Sequence, residues 1–231
     1  MQKNGLNKND LPFFKITATL KILKNKKNTM NIDFTNVPKH YAPRTHEKMQ
    51  EVLMDPQGIG PAFHYYMIRG GVEQKNITIW EPGTVSGEYI KTYGHYHIGK
   101  LDENYWFIYG QGIVLLQKLA TDDKGEMIAD EVVEFKAIPI KQGDTLFIPA
   151  GYGHLAVNTG DTYLVTADDS PVDFEEKDPT SLPGHANYES VKQMQGFAYY
   201  VVEHEGRPAL KRNPLYKSIQ KEEINGLPII A

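Results

Sequence analysis

An antiparallel β-barrel or sandwich is expected from this chain on three grounds. Short β-type runs recur from about Phe63 to Glu203, turn-forming clusters sit between them, and their spacing is near-regular. That texture belongs to all-β architectures rather than to βαβ units.

Taken in order, residues 1–29 are rich in Lys and Asn and hold one acid, Asp10, so they read as an N-terminal extension or solvated arm ahead of Met30. Residues 30–231 then form a single domain with its barrel core at about 63–205. Thr45 to Met54 is expected to be a short helix, capped by Thr45, with Met49, Val52 and Leu53 on one face and Pro56 as its stop. The strand candidates are Phe63–Ile68, Asn76–Glu81, Glu88–Thr92, Asn104–Tyr109, Ile113–Leu119, Glu131–Phe135, Thr145–Ile148, His154–Asn158, Thr162–Thr166 and Phe197–Glu203. Pro82-Gly83, Gly110-Gln111-Gly112, Asp122 to Gly125, Gln142 to Asp144 and Asn158 to Asp161 supply the turns. Asp168–Pro183 is acidic and holds several prolines, which makes it a loop; Asn187 to Gln195 is a second helix, stopped by Gly196.

Composition narrows the chemistry. A chain of 231 residues with ordinary apolar and charged fractions builds one real core. Net charge is -4 with no basic block, which argues against nucleic acid or an acidic membrane surface as partner. There is no cysteine, so disulfides, thiolate metal sites and cysteine nucleophiles are excluded. No run approaches the roughly 20 apolar residues of a membrane span. Lys15, Lys21 and Lys24 interrupt the N-terminal apolar stretches, so no signal-peptide core is present and a cytoplasmic location is expected.

Two segments carry the chemistry. The first is Gly94-His95-Tyr96-His97 through Glu103, followed by Asn104 to Tyr109. Residues two apart on a strand share a face, so His95 and His97 can bind one ion together, and Tyr105 and Phe107 share the inward face of Glu103. The second runs from Gly143-Asp144 through Pro149-Ala150-Gly151 to His154 and Asn158. One hairpin is expected to supply both histidines and the carboxylate, a later one the last histidine. Three or four N/O ligands with open positions make a catalytic rather than a structural centre.

These segments resemble the two halves of the cupin signature: the second fits at every spacing, while the first has one or two extra residues between His97 and Glu103. The resemblance implies a cupin, a jelly-roll (double-stranded β-helix) barrel with an N-terminal arm and a few short helices. It also implies one divalent metal per subunit on His95, His97, Glu103 and His154, with Fe2+ the first choice and Mn2+, Ni2+, Zn2+ or Co2+ as alternatives.

Thr92-Tyr93-Gly94-His95-Tyr96-His97, Lys100-Leu101-Asp102-Glu103-Asn104-Tyr105, Pro82-Gly83, Gly184-His185, Tyr188 and Gly196-Phe197 further resemble the cupin-type glucose-6-phosphate isomerases, over roughly Asn76 to Asn213. That family implies an aldose–ketose isomerase of glycolysis and gluconeogenesis, acting on a sugar phosphate as a homodimer. Its phosphate-gripping positions fall on Thr78, Thr92 and the Gly94 amide. Its catalytic positions fall on Glu103, Tyr105, His185 and Tyr188, the last pair with one extra residue between them. Taken alone, Thr78 and Thr92 read equally as ordinary strand threonines, and His185 as an ordinary loop histidine. Where the family places a further phosphate-binding tyrosine, this chain has Ala167-Asp168-Asp169. A non-haem Fe(II) dioxygenase and a non-catalytic sugar-phosphate-binding cupin are the alternatives. His40, His46, His64 and His204 match no motif and are expected to be surface or structural residues.

Overall fold

Along Glu103–Tyr109 the side chains of Glu103, Tyr105 and Phe107 are buried while Asn104 and Trp106 are only partly so, the period of a strand with one face in a core. The structure, a computed structural model, describes residues 21–24, 30–33, 41–70, 75–171 and 186–231. In chain order the strands begin with β1 (Lys21–Lys24), β2 (Met30–Asp33), β3 (Tyr41–Thr45), β4 (Phe63–Ile68), β5 (Asn76–Trp80), β6 (Thr84–Val85) and β7 (Glu88–Tyr89). They continue with β8 (His95–His97), β9 (Glu103–Tyr109), β10 (Gln111–Thr121), β11 (Met127–Lys141), β12 (Thr145–Ile148), β13 (Gly153–Asn158) and β14 (Leu164–Asp168). The last are β15 (Ala186–Asn187), β16 (Tyr199–His204), β17 (Arg207–Arg212), β18 (Ser218–Ile219), β19 (Glu222–Glu223) and β20 (Ile229–Ile230). The helices are α1 (His46–Met49), continued by a 3-10 turn Gln50–Val52, and α2 (Glu189–Gln193).

Two sheets form the barrel. One runs β12-β9-β14-β5-β4-β3 and the other β15-β8-β13-β10-β11-β18, with β19 also on β11. A smaller sheet runs β20-β17-β16-β7-β6, and β1 pairs with β2 in a two-stranded sheet of their own. The main core lies between the two walls: Tyr65, Trp80, Tyr105 and Phe107 come from the first, and Val114, Leu116 and Ala156 from the second, while Leu155 and Val157 turn to the other face of that wall. This is the jelly-roll arrangement of a cupin, with few and short helices.

Several expectations are corrected. The helix after Thr45 ends at Val52 rather than Met54; the Thr45 side chain does cap it, accepting from the Lys48 amide at 3.2 Å. The run expected at Glu131–Phe135 extends over Met127–Lys141, because β10 pairs with it from Gln111↔Lys141 to Thr121↔Met127. Asp168 belongs to β14 and not to a loop: it is hydrogen-bonded into the ladder between Asn76 and Tyr105. The rest of the expected acidic loop, from 172 onwards, lies outside the described residues. Strands β3 and β17, absent from the sequence expectation, carry Pro43 and Pro208. Proline argues against a central strand, and β3 satisfies that rule by forming the sheet's edge.

Candidate metal centre and substrate pocket

The β8–β13 ladder sets His95 directly opposite His154 and Tyr96 opposite Gly153. His97, two residues on from His95, returns to the same face. Tyr96 points the other way, where its hydroxyl accepts from Gln117 Nε2 at 2.6 Å. Gln117 also holds Tyr216 and the Ala198 amide, so the residue between the two histidines is pinned behind the sheet. Gly153 makes room for it: a Cβ there would come within 2.5 Å of the Tyr96 ring. The outcome is a triad, His95, His97 and His154, whose ligand nitrogens all lie within 4.8 Å of one another. The carbonyl of Leu101 can only accept a hydrogen bond, so its 3.3 Å contact with His97 Nδ1 puts the ring proton there and leaves Nε2 as the ligand atom.

Glu103 enters from the opposite wall. Strands β8 and β9 are not paired, so the expected hairpin is instead a crossing between sheets over residues 98–102. The second motif crosses in the same way, from β12, where Ile148 pairs with Glu103, to β13. The Asp102 carboxylate accepts from the Ala150 amide at 2.7 Å and ties the two crossings together. Glu103 Oε2 thereby reaches 3.0 Å from His154 Nε2 and 3.5 Å from His97 Nε2.

A divalent cation fits these residues on their own geometry. Glu103 Oε2 and His154 Nε2 are buried and make no hydrogen bond, and a buried polar atom left that way is costly unless something binds it. Burial pushes the His154 pKa down to about 4 and lowers that of His97, so both imidazoles are neutral, as ligands must be. Burial also pushes the Glu103 carboxyl up to about 7. An all-imidazole and carboxylate donor set suits Fe, Mn, Ni, Co or Zn.

The outer oxygen of Glu103 is engaged by Ser170, a residue not singled out from sequence. Ser170 Oγ donates to Glu103 Oε1 and lies 3.0 Å from Asp168 Oδ1, which also accepts from Asn76 Nδ2 at 2.8 Å. Burial, and then the neighbouring Glu103, push the Asp168 carboxyl up to about 8. Asp168 therefore faces the site instead of pointing away.

One pocket gathers most of the expected residues. His95, Glu103, Tyr105, His154 and Tyr188 line it together with Thr78, Thr92 and Gly94. The Tyr105 ring lies 5.6 Å from that of His154 and Tyr188 lies 5.3 Å from His95, centroid to centroid. Gly94 takes φ +82°, and a Cβ would press on Phe197 and Leu155, which explains glycine beside the histidines. His185 lies outside the described residues. Arg44, Tyr65, Arg69 and Asn76 also line the pocket and were not singled out from sequence. His46 and His64 are structural, bonded to each other at 2.9 Å, with His46 Nε2 2.9 Å from the Gly58 carbonyl. His204 is half-buried at the end of β16, and His40 lies outside the described residues.

The family model described as Glucose-6-phosphate isomerase (GPI) matches residues 66–217. A glucose-6-phosphate isomerase of Thermococcus onnurineus is 32% identical over 143 residues, 61% of this chain and 63% of that protein. One of Pyrococcus abyssi is 32% identical over 142 residues, again 61% and 63%. The chain thus matches less than two thirds of the length of these relatives. Among solved structures, a predicted oxalate decarboxylase from Thermotoga maritima aligns with TM-score 0.27 and 24% identity over 41% of this chain and 62% of its own. The described residues contain no helix long and apolar enough to cross a membrane. With its family match spanning well over half of its residues, the chain belongs to the cupin-type glucose-6-phosphate isomerase family.

Proposed function

We propose that the chain is a metal-dependent aldose–ketose isomerase interconverting glucose 6-phosphate and fructose 6-phosphate, with iron(II) as the ion held by His95, His97, Glu103 and His154. One observation carries this reading beyond family membership. A single pocket is lined both by three of those ligands and by Thr78, Thr92 and Gly94, the two sets of groups that a substrate with a reacting carbonyl and a phosphate requires.

Bound there, a divalent cation supplies a Lewis acid that offsets charge developing on the C1 and C2 oxygens of the open-chain sugar. Glu103 is the candidate to carry a proton between C2 and C1. Burial raises the pKa of this carboxyl to about 7 in the metal-free site, and a bound cation would lower it from there towards the ionised form that a base needs. Ser170 fixes the orientation of that carboxyl. Burial holds the Tyr105 phenol far above its ordinary pKa, so it stays protonated and serves as a hydrogen-bond donor. Tyr188, and His185 by family position, are assigned to ring opening and to proton transfer between oxygens.

The test is metal analysis of the purified protein, followed by a coupled assay for conversion of fructose 6-phosphate. Metal-replete protein with no turnover would sink the reading; oxygen consumption would replace it with a dioxygenase. Turnover in deuterated water separates transfer through Glu103, which exchanges label, from a hydride shift, which does not. The assembly is proposed to be a homodimer, paired through sheet edges such as β3 and β12. Monomer alone in sedimentation at micromolar concentration would remove that proposal.

A further inference from the structure

The phosphate-gripping positions expected from the sequence, Thr78, Thr92 and the Gly94 amide, carry no charge. Neutral donors bind a phosphate dianion more weakly than a guanidinium fork does. Two arginines line the same pocket, and one of them is built into the wall beside those donors. Arg44 is 2% exposed and stands opposite Tyr65 on the adjoining strands β3 and β4. Its Nε donates to the Tyr65 hydroxyl at 3.2 Å, and its guanidinium lies 5.8 Å from the Tyr65 ring centroid. The same hydroxyl accepts from the Tyr93 amide at 3.3 Å, and Tyr93 stands between Thr92 and Gly94. One phenol oxygen therefore couples Arg44 to the backbone segment that carries two of the three expected phosphate donors.

The neighbouring groups suit an anion. Thr92 Oγ1 accepts from the Ala156 amide at 3.0 Å, which leaves its hydroxyl proton to be donated elsewhere. Thr78 is nearly buried and lies across the ladder from Met67, itself two residues after Tyr65 on the pocket-lining side of β4. Arg69 follows two residues later and lines the pocket as well. The Asp168 carboxylate is the group that would oppose an anion, and its Oδ1 is engaged by Asn76 and Ser170.

We propose that Arg44, held in place by the Tyr65 hydroxyl, is the cationic member of the phosphate subsite and sets the preference for phosphorylated over unphosphorylated sugars. This deepens the isomerase reading and rests on it for the choice of substrate. A guanidinium already tethered at Nε loses little side-chain freedom on binding, so it stabilises the bound phosphate more than a free surface arginine would. Tyr65 acts on the phosphate only through Arg44 and is a positioning residue.

The experiment uses metal-loaded, full-length protein and two probes, arabinonate 5-phosphate and arabinonate, titrated calorimetrically. In the wild type the phosphate should improve binding strongly. Arg44→Met should weaken arabinonate 5-phosphate about 10- to 100-fold, the range for a lost bond to a charged group, and leave arabinonate and metal content unchanged. Tyr65→Phe should lose a smaller part of the same preference, with the charge still present. Should Arg44→Met fail to fold, Arg44→Lys carries the reading with Tyr65→Phe, since the shorter ammonium has no fork and no Nε donor. An unchanged preference for the phosphorylated probe in the folded variants overturns the proposal. So does equal weakening of both probes, which would mark Arg44 as merely structural. Wild-type turnover of fructose 6-phosphate is scored separately. Selective phosphate binding that depends on Arg44 without turnover supports this inference and sinks the isomerase; turnover with an Arg44-independent preference does the reverse.

Discussion

Glu103 Oε2 lies 3.0 Å from His154 Nε2 across the barrel, and neither atom makes a hydrogen bond. The two residues come from opposite sheets, so their approach depends on barrel closure, and a shared ion accounts for both atoms at once. His154→Ala should yield protein with substoichiometric metal and activity reduced at least about 100-fold, since Lewis-acid stabilisation is worth several kcal/mol. Circular dichroism should still show the folded barrel, because the sheets close it. Full metal occupancy in this variant, or in His97→Ala, would show that the ion sits elsewhere.

Metal affinity should depend on pH through the Glu103 carboxylate rather than through His154. The His154 pKa is held near 4, while the metal-free Glu103 carboxyl is raised to about 7. The sign follows from competition: below about pH 7 the free site carries a proton on Glu103 that metal must displace. Affinity should therefore fall by roughly tenfold per pH unit between 7 and 5, the slope of one proton released. Competition with a chelator of known affinity measures it. A pH-independent affinity over that range would contradict the assignment of Glu103 as ligand.

Ser170 touches the ligand and not the ion, through the bond from its Oγ to Glu103 Oε1. Removing such a supporting bond to a ligand typically costs 10- to 100-fold in metal affinity or activity, so about that loss is expected of Ser170→Ala. The change also takes a partner from the buried Glu103 and Asp168 carboxyls, so thermal unfolding is measured alongside to separate a loss of folding from a loss of metal. Wild-type metal affinity together with wild-type kcat would remove Ser170 from the site.

Protein stability has its own pH dependence, away from the metal. His64 is buried, and burial, followed by the charges of His46 and Lys91, lowers its pKa to about 3. The unfolded chain takes up this proton near the ordinary histidine pKa of about 6.5 while the folded protein does not. Folding stability is thus complete above about pH 6.5 and is lost progressively as pH falls towards 3, by up to a few kcal/mol. Chemical denaturation of His64→Gln between pH 8 and 5 should show a flatter profile than the wild type. Identical slopes would mean that His64 is protonated in the native state.

The centre was legible because a metal site writes itself into short segments. His95, Tyr96 and His97 carry a period of two, and Gly143 to His154 has a fixed turn chemistry, so both could be read without tertiary knowledge. Arg44, Tyr65, Ser170 and Asp168 could not. They reach the pocket by strand pairing over long separations, with Arg44 opposite Tyr65 and Asp168 opposite Asn76, and no local pattern encodes such a register. Strand β3, absent from the sequence expectation, carries Pro43: proline argues against a strand except at an edge, and which strand forms the edge is a property of the whole sheet. The crossing of the first motif between sheets, taken from sequence as a hairpin, was hidden for that reason too.

The phosphate end of the pocket is best probed at Thr78. Thr92 is less suitable: its Oγ1 accepts from the Ala156 amide, so Thr92→Val would also strip a partner from that N–H and mix folding with binding. Thr78 sits on β5 between Met67 and Thr166, and valine preserves both its shape and its strand preference. If its hydroxyl donates to the substrate phosphate, Thr78→Val should weaken binding by about 1.5–3 kcal/mol, or roughly 10- to 150-fold. The loss should appear as a raised KM with kcat nearly unchanged, because the phosphate is remote from C1 and C2 and is held equally in ground and transition states. A lowered kcat with unchanged KM would instead place Thr78 near the reacting carbons. An unchanged KM for fructose 6-phosphate, with kcat and thermal stability also unchanged, would show that the phosphate lies elsewhere, and the isomerase reading would lose the support it draws from this end of the pocket.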